Sequence, residues 1–123
     1  MKLTLLTTLL GAVTIFAAVS VHAQGQQDIW LVNGTGRQID SIYISPHAKS
    51  EWGPDRLAGD QVLPDGQKEY FSFSGYSTCR FDLAVRFHDG SRWTWTDGTN
   101  LCNITGVEIE DDATMHTFSG QPD

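Results

Sequence analysis

CRFDLAVRFHDGSRWTWTDGTNLC, residues 79–102, is the stretch that decides the fold. Phe81, Leu83, Val85 and Phe87 alternate with Asp82, Ala84 and Arg86, which is the pattern of a half-buried strand. A second strand-like run holds Trp93 and Trp95. Between the runs stands Asp89-Gly90, the strongest short-range signal for a hairpin. A cysteine closes each open end. The hairpin has two possible registers. A two-residue loop at Asp89-Gly90 sets Arg86 opposite Trp93 and leaves both tryptophans on the polar face, as an exposed stacking platform. A three-residue loop, His88-Asp89-Gly90, sets Val85 opposite Trp93 and Leu83 opposite Trp95, because a one-residue shift turns every side chain to the other face. Each indole has roughly 200 Å² of mostly apolar surface to bury, which favours the second register.

Outward from this hairpin, the chain shows no helical periodicity. Short β-rich runs cover 28–33, 37–45, 67–74, 105–110 and 113–118, with Gly, Pro and Asx turns between them. In the second run the apolar phase slips between Ile39 and Ile42, which predicts a bulge. Residues 47–66 are the least regular, since Gly53, Pro54, Gly59 and Pro64 interrupt any helix. Seven short strands predict an antiparallel β-sandwich, with a small β-barrel as the alternative.

The N-terminus has a different composition. Lys2, the apolar run 3–19 and Val21-His-Ala23 have the layout of a secretory signal peptide, residues 1–23. Its removal leaves 100 of the 123 residues as one domain, 24–123. Lys2 is the only charge lost, so the balance moves from −7 to −8. Such a chain is repelled by nucleic acid and anionic lipid and suits a basic partner. The expected location is therefore periplasmic or extracellular, with no membrane span after cleavage. In an oxidising compartment Cys79 and Cys102 are expected to pair.

Several short motifs follow one another in a fixed order: Asn33-Gly-Thr-Gly36, Ile42-Tyr-Ile-Ser-Pro46, Trp52-Gly-Pro-Asp-Arg-Leu57, Leu63-x-x-Gly66, Cys79-x-Phe-Asp-Leu83, Asp89-Gly90 and Asn100-Leu-Cys102. This resembles a group of small exported bacterial β-domains of unknown function. That group carries N-x-T-G, Y-I/V-S-P, W-G-x-D-x-L, C-x-F/Y-D and D/N-L-C motifs. The resemblance implies one exported bacterial domain with two paired cysteines, and it adds no site residues. The segment Asn103–Glu110 is more acidic than the group's pattern.

Motifs with a catalytic mechanism are missing. His47, His88 and His116 have no zinc spacing, and Gly75-Tyr-Ser-Thr-Cys79 lacks the second glycine of a nucleophile elbow. The loop carboxylates Asp55, Asp60 and Asp65 and the run Glu108, Glu110, Asp111 and Asp112 contain no calcium-loop pattern. Asn33 and Asn103 head glycosylation-type triplets that are not expected to be used. Trp30 reads as core. Trp52, in a Gly-Pro loop, is the tryptophan expected to be partly exposed. The sequence thus predicts a non-catalytic binding or interaction domain with no cofactor and no metal. The irregular segment 47–66 is the expected docking region, with Trp52, Asp55 and Arg56 as its candidate ligand-binding residues, for a glycan or a basic protein of the cell envelope. A structural envelope-associated domain and a calcium-stabilised module are the alternatives.

Overall fold

The computed structural model describes residues 26–120, so the expected signal peptide lies outside the described residues. Seven strands form: β1 (Ile29–Gly34), β2 (Ile39–Pro46), β3 (Lys68–Phe71), β4 (Arg80–Phe87), β5 (Arg92–Asn100), β6 (Gly106–Glu110) and β7 (Met115–Phe118). They build two sheets, ordered β3-β1-β6-β7 and β2-β4-β5. The chain is all-β, two sheets face to face and not a closed barrel. Among the described residues no helix is long and apolar enough to cross a membrane.

Period-2 alternation puts the core between the sheets. Ile29 and Leu31 point in from β1, Ile42 and Ile44 from β2, Phe81, Leu83, Val85 and Phe87 from β4, and Val107 and Ile109 from β6; all are buried. The expected slip in β2 is a bulge between Ile39 and Ser41. The short apolar piece ending at Leu63 bridges back to Ile39. Pairing is antiparallel except between β1 and β6, which run parallel.

The hairpin takes the three-residue loop. The Phe87 amide donates to the Ser91 carbonyl at 2.8 Å and the Gly90 amide to the Phe87 carbonyl at 2.9 Å. Gly90 sits at φ 89°, a conformation a side chain would strain. Val85 opposes Trp93 and Leu83 opposes Trp95. Both indoles are half-buried against the core, and Trp95 Nε1 donates to the Ala113 carbonyl at 2.9 Å. They are not a platform on the polar face. At the open end, Cys79 and Cys102 form a disulfide with Cα atoms 5.3 Å apart.

Trp30 corrects the expectation of a core tryptophan. The inward set on β1 is Ile29, Leu31 and Asn33, so Trp30 stands on the outer face, half-buried. Its ring lies 5.1 Å from that of Tyr70 and is tilted by 58°, so the pair forms no flat surface. In the same row Gly106 follows Trp30 and Phe118 follows Gly106. A Cβ at Gly106 would collide with the Trp30 carbonyl oxygen and the Phe118 ring. The carbonyl belongs to the backbone and cannot rotate away. Gly106→Ala is therefore expected to lower stability by about 2–3 kcal/mol in urea unfolding. A loss below half that size would mean that β6 shifts freely.

Candidate functional site

The irregular segment after β2 folds over the outer face of the β2-β4-β5 sheet. Two residues fasten it. The Asp55 carboxylate accepts from the amides of Ile42 and Leu57, each at 3.0 Å. The Arg56 amide donates to the Ile42 carbonyl at 2.7 Å. The Arg56 guanidinium donates to the Ile44 carbonyl at 2.7 Å and 3.2 Å and lies 4.7 Å from the Phe73 ring centroid. Together they cover the free edge of β2, which would otherwise offer unpaired amides and carbonyls to another chain. Leu57, just beyond, is buried in the core.

With its base fixed, the loop holds Trp52 above the sheet. On this outer face the register sets Tyr43, Ala84 and Thr94 side by side. Ala84 is fully buried although it faces outward. The groups gathered at this row are Tyr43, Trp52 and Arg92, whose guanidinium lies 5.1 Å from the Tyr43 centroid and 5.8 Å from that of Trp52. Trp52 is half-buried and lines two adjoining clefts. One, of about 200 Å³, is bounded by Ser45, Lys49, Ser50, Glu51, Trp52, Asp82 and Thr96. The other, of about 150 Å³, runs past Pro54 and Arg56 to Tyr76.

The floor of the larger cleft is a second bulge. Between the pairs Leu83–Trp95 and Phe81–Thr99, Asp82 alone faces Thr96, Asp97 and Gly98. Gly98 takes φ 75°, and its Cα packs against the His47 ring, where a Cβ would come within 3.0 Å. The Asp82 carboxylate accepts from the Gly98 amide at 3.1 Å and bonds His47 Nδ1 at 2.8 Å. Arg80 donates to the Gly98 carbonyl at 2.6 Å. The bulge is thus held from both of its backbone polar groups. Bulges of this kind re-aim side chains and often adjoin binding sites.

Of the three ligand-binding residues expected from sequence, Trp52 lines both clefts and Arg56 the smaller one, whereas Asp55 spends its carboxylate on the backbone. His47 and Lys49 come from the irregular 47–66 segment expected to dock a ligand, whereas Asp82, Thr96 and Arg92 come from β4 and β5 and were not among the expected residues. Asp82 lay within a quoted motif, but its partner His47 is 35 residues away.

Three further carboxylates serve turns. Asp65 accepts from the Gly36 amide at 2.8 Å, and Asp112 from the Thr114 amide at 3.0 Å. The Ser91 hydroxyl and amide hold the Asp89 carboxyl below its ordinary range, against an opposing effect of burial and with help from Arg37. Each of the three described histidines faces one carboxylate: His47 Asp82, His88 Asp40 and His116 Glu110. Among the described residues no group of three or more His, Cys, Asp or Glu is placed to hold a metal ion.

The architecture is that of a small two-sheet β-sandwich closed by one disulfide. No protein-family model and no curated protein matches the chain. Among solved structures, an NMR structure of a protein from Eubacterium rectale is similar, with a TM-score of 0.51 and 18% identity over 87% of this chain and all of that one. That likeness covers the fold and leaves the clefts to be read from this chain alone.

Proposed function

We propose that this is an exported, non-catalytic binding domain whose site is the pair of clefts beside Trp52. The observation that carries the reading is the way the chain fixes an aromatic side chain above a rigid sheet. Asp55 and Arg56 fasten the loop, His47 and Asp82 fix the floor, and Trp52 is left between two openings. Loops held on a rigid scaffold are where binding residues concentrate. The order of motifs, in its resemblance to small exported β-domains, and the Cys79–Cys102 disulfide are compatible with export.

The lining favours a glycan over a protein. A sugar ring offers an apolar C–H face and a rim of hydroxyls. The site answers with an indole, with the hydroxyls of Ser50 and Thr96, and with charged ends at Lys49, Glu51 and Asp82. The clefts are small, enough for one or two sugar units and not for a folded partner.

A glycan array of bacterial envelope fragments tests this reading. The mature protein is expected to be captured, and Trp52→Ala, checked for an unchanged melting temperature, to lose at least about tenfold in affinity. Equal capture of the two proteins would place the site elsewhere.

A further inference from the structure

We infer that the glycan taken beside Trp52 is acidic, and that Arg92, with Arg86 beside it, reads its carboxylate; this rests on the Trp52 reading. Arg86 and Arg92 are directly opposed across β4 and β5. Like charges so placed repel each other, and a sheet ordinarily avoids them. Local conflicts of this kind mark positions kept for something other than stability. Neither arginine is in an ion pair among the described residues. Arg86 donates to the Ser41 hydroxyl at 2.6 Å. Asp40 feels Arg86, but its carboxylate is taken up by Gln38 at 2.8 Å and His88 at 3.1 Å.

Arg92 is the freer of the two. Its side chain is exposed, its guanidinium is held near the rings of Tyr43 and Trp52, and it donates no hydrogen bond among the described residues. A guanidinium steadied by aromatic rings keeps its planar fork of N–H donors open, the geometry that grips a carboxylate with two parallel bonds. The Arg92 guanidinium stands over one part of the Trp52 ring, 5.8 Å from its centroid, and leaves the rest of the indole to a ligand. A pyranose set against the remaining indole surface would have the arginine at its rim, where a carboxylate can meet it.

The chain as a whole carries 15 Asp+Glu against 8 Lys+Arg, which works against an acidic ligand at long range. Charges are screened over about 8 Å at physiological salt, so the nearest groups decide. Within the larger cleft Lys49 and Glu51 offset each other, and Asp82 is engaged by His47. The unpaired cations Arg92 and Arg86 stand outside the cleft lining, Arg92 against the Trp52 ring and Arg86 opposite it on the next strand. An acidic peptide would find the same arginines but no use for the indole and the hydroxyls.

The test is a titration of the mature protein with a galacturonic acid hexamer and with its methyl ester, which keeps every ring and removes the charge. The acid is expected to bind at least about tenfold tighter than the ester, and Arg92→Gln to bring acid and ester to within about twofold of each other on the same variant. Equal affinity for acid and ester overturns the acidic preference and leaves the Trp52 site standing. Binding of neither form also overturns it, and the array with Trp52→Ala then judges the Trp52 reading separately. Competition by inorganic phosphate or by an oligoglutamate peptide as strong as that of the hexamer overturns the assignment to a glycan.

Discussion

Asn33→Ala is expected to cost about 3–4 kcal/mol, because it removes four hydrogen bonds that join two loops at a buried position. Asn33 is fully buried, and its amide is completely used. Nδ2 donates to the carbonyls of Arg37 at 2.8 Å and Leu63 at 2.9 Å, while Oδ1 accepts from the Thr35 amide at 3.0 Å and hydroxyl at 2.6 Å. The Asn-x-Thr-Gly motif is therefore a clamp that ties the turn after β1 to the 63–67 loop. Removing the side chain breaks four hydrogen bonds and leaves the Thr35 amide without its acceptor, while the Leu63 carbonyl keeps the Ile39 amide and the Arg37 carbonyl keeps the Thr35 hydroxyl; each broken bond is worth roughly 1 kcal/mol, and the stranded amide more. Thr35→Val is the graded comparison: the Thr35 amide keeps its acceptor, and the loss should be about 1 kcal/mol. Urea unfolding at constant m-value measures both. If Asn33→Ala loses less than Thr35→Val, the clamp is not what holds these loops. The same burial makes Asn33 useless as a glycosylation acceptor in the folded domain.

Removing the disulfide by Cys79→Ala with Cys102→Ala is expected to cost roughly 3 kcal/mol, from the entropy of a 22-residue loop set free in the unfolded chain. For a domain of this size that lowers the melting temperature by roughly 10–20 °C. The native end of the hairpin should survive at low temperature. The Leu101 amide still donates to the Cys79 carbonyl at 2.8 Å, and the Asn100 side chain still accepts from the residue 102 amide at 2.9 Å. A fall of only a few degrees would mean that the unfolded chain is already held compact over this stretch.

Much of the fold was legible because burial of large apolar groups left one solution. Two tryptophans on alternate positions chose the register of the β4–β5 hairpin, and a broken apolar phase located the bulge in β2. Trp30 was misread because 28–33 is a nearly continuous apolar run. Alternation cannot orient such a strand, and a polar residue, Asn33, is one of its inward members. The bulge in β5 left no trace in the polar run Thr96-Asp97-Gly98-Thr99, which has no phase to break. The site was half legible. A tryptophan in a Gly-Pro loop reads as exposed from its neighbours alone. Arg92 and His47 reach the site by strand register and by a contact across 35 residues, and neither can be seen in local sequence.

The parallel pairing of β1 with β6 also governs how the domain comes together. Trp30 meets Gly106, its neighbour 76 residues along the chain, and the first strand lies in the interior of its sheet between β3 and β6. The four-stranded sheet therefore cannot close until nearly the whole chain is available. Contacts so far apart in sequence place folding in the range of milliseconds to seconds. A truncation before β6 would leave β1 with an open flank and no stable part-fold. The domain forms late and as a unit, and until then its longest apolar segments have no partner but one another.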